Sequence, residues 1–260
     1  MAKFFKYSGL VAILMFSFYY TEKTALFVKS KTPLMQEINK QSNKLNTKSV
    51  NAIIDNNYII PGINGLEVDV SKSYVSMKKL GSYNEYYMVF NEITPKISLE
   101  NNKDKIINQG NNLKNGISLI IEDNKEIVNY FINKKIKTNI LINYNEFNKN
   151  SFLEQINNDI DNFNKLDKLF IKHSLSNKLC LVNNNNIDLC KDSNYYLIEP
   201  TYILNNNNLA NIKSKIKSGV IILIKNDVSI DNINLLLEQI KYRDLTIMPL
   251  SKLISEHNSK

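Results

Sequence analysis

Glu122 and Asp123 close the stretch GISLIIEDN, residues 116–124, where an apolar run stops at two adjacent acids and an asparagine. Neighbouring carboxylates can take a proton from water or hold a cation. The same residues also suit a polar strand-to-helix junction, with Asp123 or Asn124 capping the helical pattern KEIVNYF. Few other side chains compete for chemistry. Of the two histidines, His257 lies in a polar tail and reads as inert, and His173, in HSLSN, reads as a surface residue. Lys225 ends VIILIK and reads as a solvated strand end before it reads as an acid. The pairs Tyr86–Tyr87 and Tyr195–Tyr196 read as packing, with one or two rings left to stack on sugars. Cys180 and Cys190, the only cysteines, suit a disulfide outside the cytoplasm and equally two isolated buried thiols. With no CxxC and no clustered histidine, a zinc site is not expected from spacing.

What must hold the acids in place is visible in the periodicity. From about residue 115, apolar runs of strand length alternate with helical patterns: GISLIIE precedes KEIVNYFINKK, TNILIN precedes SFLEQINNDIDNF, and KLCLV precedes NIDLCKD. YYLIEP then precedes LANIKSKIKS, VIILIK precedes IDNINLLLEQIKYR, and LTIMPL precedes SKLISEH. Strands that are apolar throughout and alternate with helices predict an α/β fold with a parallel sheet, open or closed into a barrel. In either geometry active sites lie beyond the carboxyl ends of the strands, where Glu122 and Asp123 fall.

Upstream the texture differs. Residues 51–112 read as a small α+β extension: IIDNNYIIPGINGLEVDV carries a turn signal at Gly62, Asn64 and Gly65 between two short strands. SYVSMKKLGSY reads as a short helix ended by Gly81, and YYMVFNEI as a strand. Residues 24–50 carry Leu26, Phe27, Leu34, Met35 and Ile38 at helical intervals, with Pro33 placed to start a turn or helix, and read as a stalk. Ahead of them, Tyr7 to Tyr20 contains no charge, and Phe4 and Phe5 extend it toward the about 20 residues that a membrane span requires. We read residues 1–23 as an uncleaved signal anchor. The lysines on its short side keep that end cytoplasmic, and the rest is exported, a single-pass protein of the cell membrane facing outward. A buried N-terminal helix of a soluble protein is the alternative.

The 260 residues, 43% of them hydrophobic, suffice for one sizeable core and a smaller appendage. The formal charge of +8 comes from lysines scattered among asparagines. That is a cationic solvated surface, suited to an anionic membrane or wall polymer, and it lacks the basic stripe that nucleic-acid binding needs. The Asn-rich, Gly-poor composition itself is read as bias and carries no function.

SLIIED, followed within a turn by KEIVNYFINKKIKTNILI, resembles the opening of the NodB-homology polysaccharide deacetylases, carbohydrate esterase family 4. There the first strand ends in Thr-Phe-Asp-Asp and the second reads Lys-Ala-Thr-Phe-Phe. RDLTIMPLSKLISE resembles the family's closing strand and helix, and YIIPGINGLEVDVSKSYVSMKKLGSYNEYYMVF is similar to the extension of its membrane-anchored members. The resemblance covers about residues 113–256. It implies a distorted (β/α) barrel and an enzyme that removes acetyl groups from N-acetylated sugars, using a divalent metal held by one Asp and two His.

Carried over on that resemblance, Glu122 matches the base and Asp123 the metal-binding Asp. The family's metal-binding imidazoles fall on Phe163 and Asp167 in IDNFNKLD; a second register uses His173, with Asn177 at the other ligand position. CLVNN, Cys180 to Asn184, stands in place of an Arg-Pro-Pro-Tyr loop, and Lys225 in place of the acid of a Leu-x-His motif. Deacetylation needs a metal-acidified water, a base and an acid for the leaving amine. One carboxylate with at most one imidazole is a poor Zn²⁺ or Co²⁺ site. The expectation is therefore a membrane-anchored, catalytically degenerate homologue with no resident cofactor, which acts on or binds cell-envelope glycan. Two alternatives remain open: an active metal-dependent N-deacetylase using Glu122, Asp123 and His173, and a structural envelope protein.

Overall fold

The computed structural model describes residues 11, 13, 15–21, 24, 27, 28, 30–183 and 185–257. The expected anchor, residues 1–23, lies in good part outside them; its residues 15–21 are helical and exposed. Among the described residues no helix is long and apolar enough to cross a membrane.

In chain order the first elements are α1 (Pro33–Leu45), β1 (Ile53–Asp55), β2 (Tyr58–Ile60), β3 (Gly65–Val68), α2 (Val70–Met77) and β4 (Phe90–Ile93). There follow β5 (Ile106–Ile107), β6 (Gly116–Ile121), α3 (Lys125–Asn133), β7 (Asn139–Ile142), β8 (Glu154–Asn157) and α4 (Phe163–Lys172). Next come β9 (Leu179–Leu181), α5 (Ile187–Asp192), β10 (Tyr196–Ile198), β11 (Tyr202–Leu204) and α6 (Leu209–Lys215). The chain closes with β12 (Ile221–Ile224), α7 (Ile230–Tyr242), β13 (Thr246–Ile247) and α8 (Leu250–Ile254).

These elements form two compact units. One comprises Met1–Lys48 and Gly65–Ile93. Its helix α1 begins at Pro33, whose fixed φ suits a first turn, after the N-cap Thr32 accepts from the amide of Met35. β3 and β4 pair antiparallel, Gly65 opposite Ile93, and Met35, Ile38, Val68, Tyr74, Met77 and Met88 form a small core of their own.

The other unit comprises Ser49–Asn64 and Thr94–Lys260 and is a distorted (β/α) barrel. β11, β12, β6, β7 and β8 run parallel in that order, with β13 on the amino end of β6. β9, β10, β5 and β2 continue in parallel, and β1 adds antiparallel to β2. Isolated bonds return the chain to β12: Gly110 N donates to Gly219 O (2.8 Å), and Ile221 N donates to Thr201 Oγ1 (3.0 Å). Alternation along the strands divides the core. Ile117, Leu119 and Ile121 face the helices with Ile222 and Ile224, against Ile127, Phe131, Leu166 and Leu236. Ile120, Leu141, Ile156, Ile221 and Leu223 face inward, where Leu250, Leu253 and Ile254 of α8 fill the barrel. Burying each such side chain stabilises the fold by about 2 kcal/mol before chain entropy is counted. The barrel the motifs implied is therefore present.

Two local expectations are corrected. SFLEQINNDIDNF is not a helix: Ile156 pairs with Leu141 in β8, and the polar run beyond it turns on its own side chains, Asp159 accepting from the amides of Tyr144 and Asn162 (both 2.8 Å). Such bonds compete with helix formation, so α4 waits until Phe163. Between YYLIEP and LANIKSKIKS the chain inserts β11. A hairpin that the sequence did not signal turns at Asn56, φ 53°, with Asp55 opposite Tyr58, ahead of the Pro61 to Asn64 connection between β2 and β3. Asparagine tolerates the left-handed conformation that a two-residue turn demands.

Candidate functional site

β6 is buried along its whole length and ends where Glu122 begins. The helix after it is capped by Asn124, whose side chain accepts from the amides of Glu126 (2.9 Å) and Ile127 (3.3 Å). Asp123, between strand and cap, is exposed. Of the two capping candidates, the sequence thus uses the amide and leaves the acid to solvent.

Glu122 lies two residues beyond Ile120, and Lys225 two beyond Leu223, so both belong to the inward faces of their strands. β6 and β12 pair Ile121 with Ile224, and the next step of that register sets Glu122 opposite Lys225. The Lys225 ammonium donates to Glu122 Oε1, and the amide of Asn226 donates to Oε2 (3.2 Å). Glu122's own amide donates to Ile224 O (3.0 Å). The Glu122 side chain is 20% exposed and that of Lys225 42%. Each carboxylate oxygen thus accepts one bond, and the ammonium lies against the carboxylate.

His173, expected as a metal ligand beside Asp123, is elsewhere. It ends α4, its amide donating to Leu169 O (3.0 Å) and its ring lying 5.5 Å from that of Phe147. Just beyond it, Asn177 donates to Gln155 O (2.8 Å), and Ser174 to Asn177 line a hollow with Thr138 and Glu154 at the amino ends of β7 and β8. A crossover helix runs back against its strands, so the end of α4 lies at the amino pole, opposite the mouth that Asp123 flanks. The other two positions that the motif assigns to imidazoles are structural. Phe163 is 4% exposed, its ring 5.1 Å from that of Tyr195. Asp167 accepts the Tyr195 hydroxyl and lies 3.4 Å from Lys178 Nζ. Burial first, then Asp167, pushes that phenol far above its ordinary range. The same cluster contains the Cys180–Cys190 disulfide, which decides between the two readings of those cysteines.

A metal of the kind the fold implies does not fit here. Among the described residues no three His, Cys, Asp or Glu side chains converge, and both histidines are described. Asp123 alone offers too few donors for a zinc-type site.

Around the rest of the mouth, the carboxyl ends of β8, β9 and β10 enclose a hollow of about 510 Å³. Asn158, Asn183, Glu199 and Tyr58 supply its polar lining; Leu181 and Leu223 are part of its apolar lining. Glu199 beside Tyr58 raises that phenol above its ordinary value. Sequence reasoning overlooked Glu199, although it ends YYLIEP as Glu122 ends GISLIIE. Tyr58 could not be found that way, because the pairing of β2 with β5 brings it to the mouth.

No protein-family model matches the chain. Over 99 residues it is 33% identical to the uncharacterized protein YlxY of Bacillus subtilis (strain 168), covering 38% of this chain and 31% of that protein. The chain thus spans about a third of the curated relative it matches. The crystal structure of BA3943, a CE4 family pseudoenzyme from Bacillus anthracis, matches with a TM-score of 0.57 at 19% identity, over 87% of this chain and 96% of that one. The chain has the carbohydrate esterase family 4 fold. A BA3943 mutant, described as a CE4 family pseudoenzyme with restored enzymatic activity, matches with a TM-score of 0.52 at 18% identity, over 87% and 99% of the two chains. In this barrel of the family 4 fold, Glu122 and Lys225 form an ion pair.

Proposed function

We propose that this protein is a divergent polysaccharide deacetylase homologue that binds cell-envelope glycan at the carboxyl mouth of its barrel without hydrolysing it. The Glu122–Lys225 ion pair carries the reading. A base and an acid must each turn to the substrate. Here they are held against each other, and among the described residues no metal-ligand set stands beside them. The hollow next to the pair combines apolar surface with convergent amides, a carboxylate and a phenol, the composition of a small-ligand site.

The test uses the full chain with chito-oligosaccharides and peptidoglycan fragments. Acetate release is measured with and without added zinc or cobalt, metal content by elemental analysis, and retention on the same glycans by co-sedimentation. Glycan retention without acetate or stoichiometric metal is expected. Acetate release that Asp123→Ala abolishes would establish an active N-deacetylase instead, and absence of retention would leave a structural envelope protein.

We further infer that the barrel is displayed outside the cell on an N-terminal anchor. The uncharged run from Tyr7 to Tyr20 supports this, and a Cys180–Cys190 bridge persists in oxidising compartments. Protease added to intact cells is expected to remove the barrel; protection until lysis would refute the orientation.

A further inference from the structure

We infer that the mouth hollow selects a sugar bearing a free ammonium, a de-N-acetylated amino sugar, over its N-acetylated form, with Glu199 as the specificity-determining residue. The inference rests on the glycan-binding reading above. Among the described residues that line the hollow, Glu199 carries the one charge, and it is negative. The nearest cation on the inward face of β12, Lys225, is two residues beyond the lining residue Leu223 and is already bound to Glu122. Glu199 lines the hollow, and a carboxylate can accept about four hydrogen bonds, so it has acceptor capacity to offer a ligand there. Leu181, Val182 and Leu223 offer an apolar face to a pyranose ring, while the amides of Asn158 and Asn183 can serve its hydroxyls. An ammonium would meet Glu199 in a charge-assisted bond about twice as strong as the neutral bond an acetamide N–H can offer. The net charge of +8 works against this preference. At long range the protein repels cations, so any preference for a cationic oligosaccharide must come from a local acid.

Labelled hexamers of glucosamine and of N-acetylglucosamine are titrated against the full chain at neutral pH. The glucosamine hexamer is expected to bind about tenfold tighter, the factor that one charge-assisted bond supplies. Glu199→Gln should bring the two affinities within about twofold, by weakening the glucosamine hexamer alone. Since Glu199→Gln could disturb the mouth, Glu199→Asp is titrated as well. It keeps the carboxylate and should keep a preference for the glucosamine hexamer, which an effect of disturbed packing alone would not. Equal or tighter binding of the acetylated hexamer overturns the selectivity and leaves glycan binding standing. If neither hexamer binds, the glycan reading fails and the selectivity with it.

Discussion

Lys225 stands opposite Glu122 across the β6–β12 ladder, one step beyond the Ile121–Ile224 pair, and the two side chains meet as an ion pair over the barrel's mouth. On a parallel ladder that contact follows from register alone: once Ile120 and Leu223 are buried inward, the next inward residues must face each other. A lysine at this position therefore gives Glu122 a cationic neighbour.

Removing the lysine tests how much the pair contributes. Lys225→Met should destabilise the barrel by about 1 kcal/mol, because a half-exposed pair is worth little but leaves Glu122, largely covered, without its cation. Adding Glu122→Gln should return most of that loss. Urea unfolding of the single and double variants measures both, and additivity of the two changes would show that the side chains do not interact.

The disulfide closes a short loop between β9 and α5, with the cysteines 10 residues apart. Reducing it, or replacing both cysteines with alanine, should cost about 3 kcal/mol through the freedom regained by the unfolded chain. The urea midpoint with and without reductant reads this directly. No change in midpoint would mean that the thiols are unpaired in solution.

Much of the barrel is legible in the sequence because its strands are apolar on both faces, as helix-covered parallel strands must be. What composition concealed is the work of the asparagines. In two strand-to-helix turns the same bonds recur: Asn183 N donates to Asn186 Oδ1 (2.8 Å) and Asn205 N to Asn208 Oδ1 (3.0 Å). Asn186 and Asn208 then donate to Leu181 O (2.9 Å) and Ile203 O (2.8 Å). A sequence reader sees low complexity there; the backbone finds side-chain partners in place of glycine turns. Glu122 could be singled out as a strand end, but its pairing with Lys225 required the strand order. His173 required knowing where α4 stops, which depends on the unexpected strand β8.

Acid should loosen the β8–α4 junction. Asp159 is held below its ordinary carboxyl value chiefly by the amide of Tyr144, and further by that of Asn162, despite an opposing contribution from desolvation. A depressed folded value means that the stabilisation is present above the unfolded value, near 3.8, and is lost as pH falls from there through the lower folded value. Asp159→Asn should therefore be less stable than wild type at neutral pH, and the gap should close as pH falls below the unfolded carboxyl value. Unfolding midpoints across pH 2–7, taken at about 0.15 M salt to limit long-range effects, would reveal this. A constant gap down to the lowest pH would show that the carboxylate's charge plays no part.

Backbone approach at the amino pole sets a second stability test. Gly219 adopts φ +89°, and a Cβ there would lie 2.3 Å from Gly110 O. Gly219→Ala should cost about 3 kcal/mol, combining a disfavoured backbone conformation with a clash against main chain. Gly81, φ +69°, has nothing within 4 Å of such a Cβ, so Gly81→Ala should cost only about 1 kcal/mol. Thermal unfolding monitored by circular dichroism separates the two; equal losses would mean that the Gly219–Gly110 approach is looser than the structure has it.

Histidines at the two positions where the resemblance puts imidazoles would not fit the packing found there. Phe163 and Asp167, the positions they would occupy, are built into the cluster around Tyr195 and the disulfide. Replacing Phe163 with histidine removes a buried ring from its contact with Tyr195 and brings a polar ring into a site that is 4% exposed. Replacing Asp167 leaves the Tyr195 hydroxyl without its acceptor and Lys178 without its carboxylate. The double variant Phe163→His, Asp167→His is therefore expected to lose about 4 kcal/mol of stability and to release no acetate from chito-oligosaccharides with added zinc. Urea unfolding and an acetate assay check the two halves. Zinc-dependent acetate release from this variant would mean that α4 can rotate its first turn toward the mouth, and that the barrel lies closer to a working deacetylase than its packing indicates.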